Sequence, residues 1–544
     1  MNKKRVVALL LALGMAGSLL AGCSNETQPQ SSDGGSDVIH NDVVNKEGLP
    51  IANEKITITA MGCKDPGAAE WNDLTLFQRA EEKTNIHFEF ELAETNSYSE
   101  KKNLKLASNQ YPDMFLRSQA FMSQTDEETY GSQGTFIDLA PYIEEYAPNI
   151  QKRFEEHPEL KAASTSLDGS IYGLASYLET SMLNPHLAFV DQAWLDACGI
   201  TELPSTVDEF YDMLVKFKNT DCDGDGDATN QIPLTAMATK QGWDHLEWFL
   251  MPAFTGTCTG LNVDVKDGEV VYAPALPEFK EYLAFLNKLW NENLLDHDFA
   301  TQTQQQFLAK GKSGKVGVAN MSPTALDEGP TYVSLKPLTS EWNSTPVVRT
   351  VDPITTGSAV ITDNCKYPDA AMRWLDLWYA TDDEAVEGFS GNALFAGFEG
   401  EQWKYTDDSK EYYEFIPPIA SFDDINTSVS VNMYMPGFTQ FLAGPTAESN
   451  PRMDMKVKGV RENQNPYRKE VYPKARMTNE EATKAGRLET DLLNYVLEMS
   501  AKFVSGEESL DNFDAYLERL NAIGLEDYLK IKTDAYDRWA KAAE

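Results

Sequence analysis

Histidine and cysteine are scarce in this 544-residue chain, with six of each. His40, His87, His157, His186, His245 and His297 are scattered, and none falls in an HExxH pair, so no zinc-hydrolase ligand set is visible. Beyond Cys23, the five cysteines at 63, 198, 222, 258 and 365 are odd in number and lack a CxxC spacing, which predicts no disulfide framework. Positive charge is also short: 46 Lys and Arg face 85 Asp and Glu, a formal net charge of −39. Such a surface repels nucleic acid and anionic lipid and suits a soluble extracellular protein. After the first 20 residues no apolar run approaches the 18 needed to span a bilayer, and no repeat recurs at a fixed period. Two short mimics also fail. "GKSGK" (311–315) has Gln306 where a phosphate loop needs its first glycine, and "GTCTG" (256–260) has neither the strand nor the helix of a nucleophile elbow around Cys258.

What is present begins with Lys3, Lys4 and Arg5, then an apolar run from Val6 to Leu20 that is short for a membrane span and apt for a signal peptide. It ends in Leu20-Ala21-Gly22-Cys23, which resembles the lipobox of bacterial lipoproteins. That resemblance implies cleavage after residue 22 and a lipid on Cys23. Residues 24–54 are polar and lack apolar periodicity, so residues 23–54 are expected to form a flexible tether.

Folded sequence then alternates strand and helix. "KITITAM" (55–61), "NIHFEFEL" (85–92) and "PDMFLR" (112–117) have strand character, separated by helical patterns over 71–83 and 99–109. This β-α-β-α-β order predicts a parallel sheet whose ligand lies beyond the strands' carboxyl ends, at the loop 62–73 and the stretch 117–121. Further on, "LAFV" (187–190) reads as a crossing strand, and Thr206 with Glu209 forms a capping box for a helix bearing Val207, Phe210, Leu214 and Phe217 on one face. Helices are expected over 277–293 and 368–380, strands over 315–321 and 357–362, and a helical C-terminus carrying a Leu488, Leu492, Tyr495, Met499 stripe.

The order of lipobox, tether, "YPDMF", "GSIYGL", "QAWLDACGI", "LPSTVDEFYDMLVKFK", "GKVGVA", "KYPDAAMRWLD" and "DAYDRW" resembles the extracellular solute-binding proteins of ABC importers. Among them it is most like the large carbohydrate binders with a calcium loop, such as alginate-oligosaccharide binders. The resemblance covers nearly the whole mature chain. It implies an α/β, two-lobe, periplasmic-binding-protein-like fold with hinge strands and a helical C-terminal region. The expected division is residues 55–186 plus about 318–366 in lobe I, and about 187–317 plus 367–544 in lobe II.

The motif "NTDCDGDGDATNQIPLT" (219–235) sets Asp221, Asp223 and Asp225 at positions 1, 3 and 5 of an EF-hand-like loop. Gly226 falls at the sharp turn, and Asp227 offers the position-7 carbonyl. Position 12 is Ile232 instead of Glu, and "IPLT" reads as strand, so the second helix of a calcium sensor is missing. In the resembled proteins positions 9 and 10 are acidic; here they are Thr229 and Asn230. The loop 221–232 is expected to hold a structural Ca²⁺, with Cys222 turned away from it.

Sugar sites combine flat aromatics with amides, carboxylates and arginine. The candidates on loops are Trp71, Asp73, Ser118, Gln119, Trp243, Trp248, Asn320, Arg349 and Tyr434. Trp194, Trp374 and Trp378 follow helical spacing among leucines and belong to the core. The resulting expectation is a monomeric, lipid-anchored, non-enzymatic substrate-binding protein. It takes a small-molecule ligand, an oligosaccharide, to ABC permease subunits and binds no nucleic acid. The alternatives are a surface carbohydrate-active enzyme or a peptide-binding or adhesion lipoprotein stabilised by calcium.

Overall fold

The computed structural model describes residues 38–117, 122–180, 188–239, 242–243, 246–319, 331–349, 352–431, 433 and 435–543. Cys23, Ser118, Gln119, Asn320 and Tyr434 lie outside them.

Two sheets organise the chain. The first is built on β1 (Ile56–Lys64), β2 (Ile86–Glu94), β3 (Met114–Leu116) and β4 (Leu174–Thr180), with two later strands, Ile354–Ile361 and Phe438–Phe441. Its order is 438–441, β4, 354–361, β3, β1, β2. β1 pairs in parallel with β2 and β3, and strand 438–441 in parallel with β4. Only 354–361 runs against its neighbours β3 and β4, so the other five strands send their carboxyl ends to one edge. The expected β-α-β-α-β start is therefore present, with an antiparallel strand inserted beside it from much later in the chain.

The second sheet has the order 332–334, β5 (Phe189–Asp191), 316–319, β6 (Ile232–Leu234). The helices Val207–Asn219, Pro277–Asn291 and Asn479–Ser505 share one core beside it through Phe210, Leu214, Phe217, Leu283, Leu286, Leu488 and Leu492. The Thr206–Glu209 capping box is formed as the sequence predicts. On the C-terminal helix the buried stripe continues from Leu488 and Leu492 to Val496, Ser500 and Phe503, while Tyr495 and Met499 flank it half-buried.

The chain passes between the two units three times: from β4 to β5, from strand 332–334 to 354–361, and from 438–441 into the helix Pro451–Asn463, whose Asn463 bonds Ser334 of the second sheet. Near these passages Val348–Arg349 pairs in parallel with Arg468–Lys469. Multiple crossings between two α/β units are the plan of a hinged two-lobe fold.

Three boundaries differ from the sequence expectation. Strands 316–319 and 332–334 pair with β5, so residues 318–334 belong with the second sheet where described. Most of residues 368–398, with Val431, Met435 and Phe438, join the first sheet's core through Trp374, Trp378, Phe389 and Phe438, because the amphipathic helix Pro368–Asp376 packs Trp374 against Phe77 and Phe88 of the opening unit. Residues 38–54 are no tether. Ile51 and Ala52 are fully buried, Val44 bridges to Ala52, and Asn41 bonds the Asp369 carboxylate through its amide N–H at 2.7 Å and its side chain at 2.9 Å. Their few apolar residues suffice because the surface they cover already exists.

Candidate functional site

At the carboxyl ends of β1 and β3 lies a recess of about 260 Å³, lined by the loop Lys64–Ala69 with Trp71 and Leu74, by Arg117, and by Asp423, Asn426 and Thr427 of the helix Phe422–Ser428. Its position is the one the parallel strand order predicts. Arg117 follows β3 directly, has a backbone φ of 50°, and organises the floor. Its Nη1 donates to the Cys63 carbonyl (2.8 Å), its Nε to the Met433 carbonyl (2.9 Å), and its Nη2 to Asp65 Oδ2 (2.7 Å). One buried guanidinium thus ties the first loop to the segment before strand 438–441. The stretch 117–121 signalled this place, although Arg117 itself was not among the candidates.

Trp71 corrects an expectation. Its indole is 1% exposed, stacked on Phe77 at 5.5 Å and edge-on to Phe90 at 5.1 Å. A Cβ on Gly62 would come within 2.4 Å of the ring, so the glycine makes room for it. Trp71 borders the recess but is packed as a core residue, with its ring covered by Phe77 and Phe90. Asp73 is exposed in the same turn, Trp71–Asp73. Trp374, Trp378 and Trp194 are buried, as the helical spacing implied.

A second cluster lies by the passages between the sheets. The Arg349 guanidinium sits over the Trp248 ring, 4.4 Å from its centroid, bringing together two candidates that are 101 positions apart. Burial lowers the Arg349 pKa, and nearby Cys258, Asp352 and Asp264 oppose that shift. Trp243 belongs to a two-residue strand paired with Ala238–Thr239, and its side chain is outside the described set. Near these residues is a larger recess of about 450 Å³ that sequence reasoning missed. It is lined by Pro158, Asp352, Pro353, Val471, Pro473 and Trp539 among others, residues from the middle of the chain and from its C-terminal region. Burial raises the Asp352 pKa, against the pull of Lys474. Cys258 is fully buried and its thiol is pushed up to about 12 by burial, so it has no nucleophile's environment.

The acidic loop follows helix Val207–Asn219 and leads into β6, the helix–loop–strand order expected. One carboxylate oxygen from each of Asp221, Asp223 and Asp225 lies within 4.8 Å of the others. Gly224 and Gly226 take φ of +72° and +89°, and their N–H groups donate to the two Asp221 oxygens, both at 2.9 Å. Gln231 closes the loop by accepting from the Cys222 and Asp223 N–H groups at 2.6 and 3.1 Å and donating to the Thr220 carbonyl at 2.7 Å. Asp227 Oδ1 accepts from Thr229, and Asn230 donates to Asp225 Oδ2 at 2.8 Å. Sequence reasoning missed one partner: the Lys315 ammonium lies 2.7 Å from Asp225 Oδ2 and 3.5 Å from Asp223 Oδ2. This contact, with Asn230 and the Asp227 N–H, lowers the Asp225 pKa to about 2.

Two α/β units joined by three passages, with a recess at aligned strand ends, define a two-lobe solute-binding fold. The chain belongs to the bacterial extracellular solute-binding proteins, whose family model matches residues 65–385. It is similar to the fructooligosaccharide ABC transporter substrate-binding protein FusA of Streptococcus pneumoniae, with 26% identity covering 98% of this chain and 97% of FusA. Lipoprotein LipO of Bacillus subtilis is 26% identical over 56% of this chain and 55% of LipO. Among solved structures, an HMO-binding solute-binding protein associated with an ABC transporter of Bifidobacterium longum infantis matches with a TM-score of 0.74 at 20% identity, covering 89% of this chain and 99% of that one. A FusA EF-hand mutant in complex with fructo-nystose matches at 0.69 and 22%, covering 89% of this chain and 100% of that one. This is a family of extracytoplasmic binding proteins, not enzymes.

Proposed function

We propose that this protein captures an oligosaccharide between its lobes and delivers it to the permease subunits of an ABC importer, working as a monomer tethered through lipid on Cys23. The observation that carries the reading is relationship over almost the whole length to a protein named for fructooligosaccharide transport. The lipobox-like Leu20–Cys23 and the relationship to a named lipoprotein support the anchor. Binding would draw the lobes together by rotation at the three passages, because the closed state alone lets both lobes contact one ligand. Candidate ligand contacts are Asp73, Trp248, Arg349, Ser118, Gln119, Asn320, Trp243 and Tyr434, with Trp71 removed from the set.

Asp221, Asp223 and Asp225, with the Asp227 carbonyl, Thr229 and Asn230, would hold a structural Ca²⁺. The clustered carboxylates and the glycine turns support the fit, and bound calcium would neutralise their mutual repulsion and brace the loop. Lys315 supplies positive charge to the same carboxylates and therefore competes with the ion.

The test is a thermal-shift and calorimetry panel of fructooligosaccharides, milk-type oligosaccharides, uronate oligomers and peptides, with and without chelator. Binding to at least one glycan class is expected, with ligand-induced compaction in solution scattering. Shifts with peptides alone would reject the carbohydrate assignment.

A further inference from the structure

Cys198 and Cys222 are the one pair of cysteine sulfurs in contact among the described residues, at an Sγ···Sγ separation of 3.6 Å. They are 24 residues apart in sequence. Cys198 caps the helix Gln192–Ala197, and Cys222 sits inside the acidic loop with its side chain turned inward. Cys63, Cys258 and Cys365 are each buried elsewhere.

We propose that Cys198 and Cys222 form a disulfide in the exported protein, making the acidic loop a covalently anchored loop. A disulfide needs sulfurs about 2.05 Å apart, so the pair must close by roughly 1.5 Å. Cys198 can move, because it is half-exposed at a helix end and is followed by Gly199, whose φ is +64°. Cys222 is 6% exposed and held by its N–H bond to Gln231. This asymmetry sets the order of reaction with an external disulfide such as oxidised glutathione. Cys198 attacks first, giving a mixed disulfide and one glutathione thiol. The Cys222 sulfur then displaces the second glutathione, forming the Cys198–Cys222 bond. Two protein thiols are oxidised and one glutathione disulfide is reduced to two thiols, so electrons and protons balance. A family that works outside the cytoplasm meets the oxidising conditions in which such bonds persist.

The bond would act on the cation loop from its buried side, since Cys222 lies between Asp221 and Asp223. This consequence rests on the calcium reading, while the bond itself does not.

The test uses the full chain equilibrated with oxidised glutathione, alkylated with N-ethylmaleimide before and after reduction, and mapped by proteolysis and mass spectrometry. The expected product is a linked Cys198–Cys222 peptide that separates on reduction. Recovery of both cysteines alkylated, or as separate glutathione adducts, overturns the proposal. Cys222→Ser should trap glutathione on Cys198, whereas Cys198→Ser should leave Cys222 unmodified; the reverse pattern overturns the order. Chelator should lower the melting temperature less in the oxidised protein than in the reduced one, and equal shifts overturn the coupling. No chelator effect in either state overturns the calcium reading, while the peptide map still decides the bond.

Discussion

The Arg476 Nη2 donates to Glu127 Oε2 at 2.5 Å inside the junction between the C-terminal helices and the first lobe, with Glu127 fully buried and Arg476 6% exposed. The same nitrogen donates to the carbonyls of Ala163 and Ser164, and Nη1 donates to Glu128. Arg476 precedes the long helix of the second lobe's core, whereas Glu127 and Ser164 belong to helices of the first. The clamp therefore pins the segment leading into that helix to the first lobe. Burial pushes the Glu127 carboxyl up, and the Arg476 charge pulls it down. Arg476→Ala would strand that carboxyl, and a loss of about 3–5 kcal/mol is expected in urea unfolding. A loss below 1 kcal/mol would remove the clamp from the account.

Trp71→Ala tests a core role against a ligand platform. Deleting a fully packed indole is expected to cost about 3–5 kcal/mol in unfolding free energy. The folded fraction should bind glycan within twofold of the unsubstituted protein by calorimetry. Lost affinity at unchanged stability would put the indole back in the site.

Lys315→Gln should raise calcium affinity several-fold, since the ammonium 2.7 Å from Asp225 competes for the same carboxylates. Isothermal titration with CaCl₂ reads this directly, and an unchanged or weaker affinity would show that Lys315 and calcium do not share ligands.

Acid should act on the same contact. The Lys315 ammonium first, then Asn230 and the Asp227 N–H, hold the folded Asp225 pKa at about 2, below the ~3.9 of an unfolded aspartate. A depressed carboxylate contributes stability that is fully present above the unfolded value and is lost as pH falls through the folded one. In chelator, the unsubstituted protein should therefore lose more stability between about pH 4 and pH 2 than Asp225→Asn does. Parallel curves would show that the contact does not form in solution.

Much of the fold is visible in the chain because local rules and tertiary packing agree there. The strand–helix order of 55–117, the capping box at Thr206 and Glu209, and the helical spacing of Trp374 and Trp378 needed only periodicity and cap chemistry. Trp71 misled because it sits near the binding edge in sequence, and nothing local reveals that Gly62 opens a pocket for its ring. Residues 38–54 misled because their partners lie far along the chain, 33 positions away for Ala52 with Asn85 and 328 for Asn41 with Asp369.

The sequence by itself determined the α/β alternation, the acidic loop and the family. Each depends on residues close together in the chain or on their order. Only the tertiary structure decided which strands share a sheet, that Lys315 faces Asp225, that Arg349 covers Trp248, that Arg476 meets Glu127, and that Cys198 touches Cys222. These contacts join residues 24 to 349 positions apart. Their formation depends on the free energy of packing the whole chain, which no local pattern encodes.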